Sequence, residues 1–239
     1  MSQASVTRPI RVLHICTIRL TAQAFIAPVA RYLRARGYEV GIACSAEDAA
    51  DGPGLSAAHE LAGCPLYPVA IARTIRPLAD LCSIWKLYQL IRRLQPDIVH
   101  TQTSKAGVVG RVAARLAGVP IVIHTAHAFP FHPYLPASVR WAYIMIERVA
   151  AGWTDLLMVD TESVRAEGLR HRVVRDPAKL VTVPIGIDLK KFSPSLQGAD
   201  NLRESLGFGS RDLVVGTVAR LVPDKGIECF LRMVARLKA

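Results

Sequence analysis

Short apolar runs alternate along this chain with longer stretches in which apolar residues recur at helical spacing. The apolar runs predict strands, because a strand that is buried on both faces is apolar along its whole length. Predicted strands cover residues 10–18, 39–44, 66–71, 97–101, 120–125, 155–159, 179–183 and 213–218. Predicted helices cover residues 23–36, 55–62, 77–94, 104–116 and 137–151, and one more begins near Gly226. This alternation predicts an α/β fold, a doubly wound parallel sheet with helices on both faces.

The chain is predicted to hold one complete domain and the start of a second. Residues 1–184 contain most of the predicted strands, whereas residues 185–211 are richer in Gly, Pro, Ser and Asp and are typical of an interdomain linker. Residues 212–239 offer one strand and one helix, which cannot bury a core of their own. We therefore expect residues 212–239 to be the incomplete start of a second domain.

Charge narrows the choice of partners. The 239 residues carry a formal net charge of +11, which favours acidic partners such as nucleotide diphosphates, anionic membranes or nucleic acid. No aromatic-interleaved basic stripe or zinc-finger spacing accompanies the scattered cations, so nucleic acid is not an expected partner. Peripheral contact with an anionic membrane is the second option, because clustered cations each contribute about 1 kcal/mol near such a surface.

Cysteine usage and the first residues indicate a compartment. The five Cys residues form no Cys-x-x-Cys pair, and the first residues lack the layout of a signal peptide. These features predict a cytoplasmic protein. Peripheral attachment of this protein to the inner face of the membrane is compatible with the prediction.

Residues 97–131 form a predicted strand–helix–strand unit whose polar residues follow the strands, where ligands of open α/β sheets bind. Ser104 is the expected N-cap of the helix, and Lys105 adds a cation where free amides favour an anion. Gly107 and Gly110 weaken that helix, which is tolerable where a neighbour approaches closely. Capping and packing alone would explain Ser104 and the glycines equally well.

Four segments of this chain resemble glycosyltransferase family 4. They are residues 17–21 after the first strand, HTQTSKAGVVGRVAARLAGVPIVIHTAHAFPFH (residues 100–132), VPIGIDLKKF (residues 183–192) and VVGTVARLVPDKG (residues 214–226). The resemblance implies a GT-B fold, in which two Rossmann-like lobes face each other across a cleft. It also implies that the second lobe is truncated here, because the pair of donor-site glutamates of full-length relatives is not found before Ala239.

The resemblance also implies roles for individual residues. Arg220 and Lys225 match the cations with which the family holds the donor diphosphate, and His127 matches a His beside the donor sugar. Gly186 and Asp188 match a crossover motif and are implied hinge residues, the Gly for a turn that needs positive φ.

The loop after the first strand departs from the family pattern. Relatives often carry Gly-Gly there, whereas this chain has Arg19, whose cation we expect to replace amide contacts to an anion or acceptor. The missing glycines also exclude the dinucleotide-binding fingerprint of dehydrogenases.

The function implied is a retaining glycosyltransferase that moves a sugar from a UDP-sugar or GDP-sugar to a polysaccharide or a lipid-linked acceptor. No cofactor or metal is expected, because the spacing of His100, His124, His127 and His132 does not match familiar zinc sites. Two alternatives stay open. One is a non-catalytic acceptor-binding or partner module of a split glycosyltransferase, and the other is a GT-B-like nucleotide-sugar epimerase.

Overall fold

The structure is a computed structural model that describes residues 8–45, 61, 63–187, 189, 199–209, 211–219, 221 and 225–237. The chain divides into two compact units, Met1–Ile185 and Gly186–Ala239. Each unit is described by itself below.

The first unit is built on a parallel sheet of seven strands in the order β3-β2-β1-β4-β5-β6-β7. The strands are β1 (Arg11–Ile15), β2 (Glu39–Cys44), β3 (Leu66–Pro68), β4 (Ile98–Gln102), β5 (Ile121–Ala126), β6 (Leu156–Val159) and β7 (Leu180–Thr182). Strands β2 and β3 lie on one side of β1, and strands β4 to β7 lie on its other side. The sheet is therefore doubly wound, and the predicted fold class is confirmed. Helices cover both faces, which explains why most strands are apolar along their length.

Eight α-helices lie among the described residues. They are α1 (Arg19–Thr21), α2 (Ala27–Arg34), α3 (Pro77–Leu94), α4 (Ser104–Ala117), α5 (Ala137–Ala151), α6 (Glu162–Arg170), α7 (Ala199–Ser205) and α8 (Ile227–Leu237), and a π-helical segment, Ala22–Ile26, joins α1 to α2. The connections β3–β4, β4–β5 and β5–β6 cross the sheet in one direction, so right-handed crossovers place α3, α4 and α5 on one face. The connection β1–β2 runs the other way and places α2 on the opposite face.

Strand register decides which polar side chains share a face. His14 of β1 pairs with His100 of β4, and Thr101 of β4 pairs with His124 of β5. Because neighbouring residues of one strand point to opposite faces, His14 and His100 share one face and Thr101 and His124 share the other. The second of these faces is the one that α4 covers, since the glycines of α4 contact Thr101 and His124.

The second unit differs from its prediction in two elements, because helix α7 (Ala199–Ser205) lies in the segment predicted as a linker and one predicted strand is absent. The structure has no strand at residues 213–218, although α8 follows close to the position predicted for a helix. A strand needs a neighbour for its backbone hydrogen bonds, and the described residues of this unit form no other strand. Most of the helix predicted at residues 55–62 lies outside the described residues.

The glycines of α4 let this helix lie directly against the sheet. A Cβ added at Gly107 would stand 2.4 Å from Cε1 of the buried His124, and one at Gly110 would stand 2.7 Å from Cγ2 of Thr101. Both approaches are too close for any side chain, so at these two positions the absence of a Cβ is required by packing.

Gly107→Ala is therefore expected to lower the free energy of unfolding by about 1–3 kcal/mol, because the methyl group overpacks a buried ring that cannot move aside. Urea titration followed by circular dichroism measures this change. Gly216→Ala is the matched control, since nothing lies within 4 Å of a Cβ there and its φ is not positive. A loss at Gly107 no larger than that of the control would contradict the packing explanation.

Candidate functional site

The carboxyl ends of four neighbouring strands meet at one edge of the sheet. Thr17 follows β1, Thr103 follows β4, His127 follows β5 and Asp160 follows β6. The hydroxyl oxygens of Thr17 and Thr103 lie 2.7 Å apart in a hydrogen bond that links the first and fourth strand ends. We refer to this region as the strand-end edge.

His127 is held from two sides at the strand-end edge. Its Nδ1 lies 2.8 Å from Oδ2 of Asp160, and its ring lies against that of Phe25 with 4.5 Å between the ring centroids and 34° between the ring planes. A carboxylate can only accept, so Nδ1 carries the proton and the Nε2 of a neutral ring is a bare acceptor. That Nε2 is buried and has no hydrogen-bond partner among the described residues. The ring is thus oriented with one nitrogen left for a ligand.

Asp160 and Phe25 were not among the predicted site residues. Asp160 directly follows an apolar strand that the sequence predicts, so its position after that strand was a usable signal. Phe25 lies in a helical segment where an aromatic residue is ordinarily part of the core, and no sequence pattern separates it from such residues.

The first turn of α4 is also at this edge, but its N-cap is one residue earlier than expected. Thr103 is the N-cap, with φ 67° and ψ 149° and no side-chain capping hydrogen bond, and Ser104 is the first helical residue. A residue other than Gly with these φ and ψ angles carries a backbone strain of about 1–3 kcal/mol. The prediction of Ser104 as N-cap was wrong because Thr103 already provides the change of backbone direction.

Two predicted anion-binding cations belong to elements near this edge. Lys105 forms an ion pair with Asp80 of α3, so a carboxylate already balances its charge. Arg19 is the first residue of α1 and is half-buried. Roles in anion or acceptor binding for Arg19, Ser104 and Lys105 stay predictions.

Buried histidines lie behind His127. His100 bonds through Nε2 to Oγ1 of Thr125 at 2.8 Å, and its ring centroid is 5.0 Å from that of His14. Burial, and to a lesser extent the neighbouring His127, lower the pKa of His100 to about 4. Burial also holds the pKa of His14 well below its usual value. These rings are therefore neutral near pH 7.

His124 lies on the other face of the sheet, with Nδ1 2.9 Å from Oγ1 of Thr101. Burial and the nearby Arg111 charge hold its pKa well below the usual value. Histidines on opposite faces cannot converge on one ion. Within the described ranges, no group of three His, Cys, Asp or Glu side chains could hold a metal ion.

The remaining predicted residues belong to the second unit. Arg220 and Asp188 lie outside the described residues. Lys225 is exposed and lies two residues before α8. Gly186 is exposed and its φ is not positive, so the expectation of a positive-φ turn there was wrong. Diphosphate binding by Arg220 and Lys225, and a hinge at Gly186 and Asp188, stay predictions.

Comparison with known proteins shows the family and the fold of this chain. The chain is 38% identical over 155 residues to the Escherichia coli UDP-Gal:alpha-D-GlcNAc-diphosphoundecaprenol alpha-1,3-galactosyltransferase, a match that covers 65% of this chain and 40% of that enzyme. A glycosyltransferase of Rickettsia africae superposes with a TM-score of 0.70 at 16% identity, over 97% of this chain and 58% of the other.

The sucrose-phosphate synthase of Thermosynechococcus elongatus gives the same TM-score of 0.70 at 18% identity, over 95% of this chain and 60% of the other. The two solved structures show the fold alone, which is that of GT-B glycosyltransferases. This chain thus spans about 40–60% of the length of these proteins. A sequence profile of the glycosyl transferase 4-like domain matches residues 21–186, which is most of the chain and includes His127, Phe25 and Asp160. The chain therefore belongs to the glycosyl transferase 4-like family.

Proposed function

We propose that this chain is part of a retaining glycosyltransferase that moves a sugar from a UDP-sugar or GDP-sugar to a polysaccharide or lipid-linked acceptor. The observation that carries the proposal is the oriented His127 ring, whose buried Nε2 lacks a partner among the described residues at the strand-end edge. The name of the E. coli relative, which states a UDP-sugar donor and a diphosphoundecaprenol-linked acceptor, supports both substrate classes.

In this reaction the protein has two main tasks, which are to position the substrates and to stabilise the negative charge on the departing diphosphate. The bond between the anomeric carbon and the diphosphate oxygen breaks, that carbon bonds to the acceptor hydroxyl oxygen, and the hydroxyl proton passes to an oxygen of the departing diphosphate. In this proposal, Nε2 of His127 accepts a hydrogen bond from a sugar hydroxyl, and Asp160 keeps the ring in the required tautomer. Arg220 and Lys225 are the proposed cations that stabilise the departing diphosphate.

Calorimetry tests the proposal through donor binding. UDP-galactose, UDP-glucose and GDP-mannose are titrated into the purified 239-residue chain, and we expect at least one of them to bind at micromolar concentration. His127→Ala is expected to weaken that binding at least about tenfold, the effect of one lost hydrogen bond of about 1.4 kcal/mol. His132→Ala is the matched control, because His132 is exposed and does not follow a strand directly.

The Asp160→Asn variant tests the orientation of the His127 ring separately from the contact of that ring with the donor. The amide can still bond to the ring but can also donate to it, so the tautomer is no longer enforced and affinity should fall by less than in His127→Ala. Absence of binding for all three donors at millimolar concentration would contradict the proposal and favour the alternative of a non-catalytic acceptor-binding module. Equal binding by the wild type and His127→Ala would remove His127 from the donor site.

A further inference from the structure

The outer side of α3 exposes a row of apolar side chains. Leu78, Leu81 and Trp85 are exposed, Trp85 by 58%. Successive helical residues are about 100° apart, so this row lies opposite the buried row of Leu87, Leu90 and Ile91 that packs on the sheet. The exposed row is therefore turned directly away from the sheet.

The outer side of α5 has the same character. Trp141 is 64% exposed, and Val149, about 80° away around the helix axis, is also exposed. The buried residues of α5, Glu147, Ala150 and Ala151, lie on the opposite side. Tyr134, in the loop before α5, is exposed as well. Nothing among the described residues covers either row.

Both rows face in one direction. Helices α3 and α5 lie on the same face of the sheet with α4 between them, since α4 contacts both. These helices run against the strands, so their first turns lie toward the strand-end edge that carries His127. We call the outer surface of α3 and α5, with Leu78, Leu81, Trp85, Trp141 and Val149, the α3–α5 surface.

The segment of the chain that carries α3, α4 and α5 is strongly basic. From Arg73 to Arg148 the chain holds ten Lys and Arg residues and three acidic residues. All three acids are already in ion pairs: Asp80 with Lys105, Asp97 with Arg8 and Glu147 with Arg111. Exposed cations such as Arg76, Lys86 and Arg115 therefore have no acid of this segment left to balance them.

We propose that the α3–α5 surface lies on the surface of an anionic lipid bilayer. Exposed tryptophans and leucines among uncompensated cations match the two layers of such an interface, in which apolar chains enter the headgroup boundary and cations meet lipid phosphates. A protein partner would have to supply acids to match these cations, whereas an anionic leaflet supplies them over its whole area. No helix within the described ranges is long and apolar enough to cross a bilayer, and the contact proposed here is a peripheral one.

Vesicle binding tests this proposal without any need for transferase activity. The purified chain is sedimented with vesicles of phosphatidylcholine that contain about one third phosphatidylglycerol, and with vesicles of phosphatidylcholine alone. We expect binding to the anionic vesicles, a blue shift of tryptophan fluorescence on binding, and weakening by added salt.

The double variant Trp85→Ser/Trp141→Ser should lower the partition coefficient at least about tenfold. Tyr32→Ser is the matched control, because Tyr32 is an exposed aromatic residue on α2, on the other face of the sheet. Circular dichroism verifies that each variant is folded, which is expected because the substituted side chains are exposed.

Three outcomes would overturn the proposal. They are equal binding to the neutral and anionic vesicles, an equal loss in the Tyr32→Ser control, and a solution dimer that the double variant converts to a monomer without any vesicle binding by the wild type. The last would assign the α3–α5 surface to a second copy of the chain.

Discussion

Lowering the pH from about 6.5 toward 4 is expected to remove several kcal/mol from the free energy of unfolding of the first unit. His14, His100 and His124 are buried and have pKa values lowered by burial, that of His100 to about 4. In the unfolded chain the same rings titrate near 6.5. Below that pH the unfolded state binds protons that the folded state does not, so stability is full above pH 6.5 and falls as the pH decreases.

The free energy of unfolding is expected to change steeply with pH because three buried histidine rings contribute to the change. Each ring that takes up a proton only on unfolding contributes about 1.4 kcal/mol per pH unit. Urea titrations between pH 7 and 5 measure this slope in a window where most carboxylates remain ionised.

His14→Leu is expected to reduce the slope by about one third, since it removes one of three rings. It should not itself unfold the protein, because both ring nitrogens of His14 lack hydrogen-bond partners among the described residues. His132→Leu removes an exposed ring and should leave the slope unchanged. Equal slopes in His14→Leu and the wild type would mean that His14 is not held neutral in the folded chain.

Arg111→Met is expected to lower the free energy of unfolding by about 3–5 kcal/mol, because it leaves the charge of Glu147 buried without a partner. The side chains of Arg111 and Glu147 are 0% and 2% exposed, and Nη2 of Arg111 lies 2.8 Å from Oε2 of Glu147. Arg111 also donates from Nε to the carbonyl of Gly107 at 2.8 Å. This ion pair is the buried polar link between α4 and α5.

Urea titration of the double variant Arg111→Met/Glu147→Met isolates the cause. Replacing both charges by apolar side chains should recover most of the loss, since no unpaired charge then remains buried. Glu39→Gln is the control for an exposed pair, because Glu39 and Arg11 are both substantially exposed and such pairs contribute about 0–1 kcal/mol. If the double variant is no more stable than Arg111→Met, the loss of stability comes from the changed shape of the side chains and not from the unpaired charge.

Much of the candidate site was accessible from the chain itself. The run that ends in His127 is apolar and then polar, which places this residue just after a strand. Asp160 also follows an apolar run, yet only the pairing of β5 with β6 shows that it reaches Nδ1 of His127. Sequence patterns report local periodicity, whereas a hydrogen bond between residues that are far apart along the chain depends on strand order.

The tertiary structure shows neighbours of other predicted residues that the sequence did not indicate. Lys105 was expected as a cation for a ligand, but α3 brings Asp80 next to its ammonium group. Gly107 was expected to allow a close approach, and the neighbour proved to be the buried ring of His124. Residues 213–218 have the apolar pattern of a strand but form none, because pairing requires a second strand.

The sequence by itself determined the parallel α/β class and the positions of the seven strands along the chain, although not helices α6 and α7, because strand positions follow from the spacing of apolar residues. Only the tertiary structure decided that His127 pairs with Asp160, that Arg111 pairs with Glu147, and that Trp85 and Trp141 face outward from one helical layer. These facts depend on which helices and strands become neighbours and on how each helix is rotated about its axis. Packing sets both at once for the whole core, and no local segment carries that information.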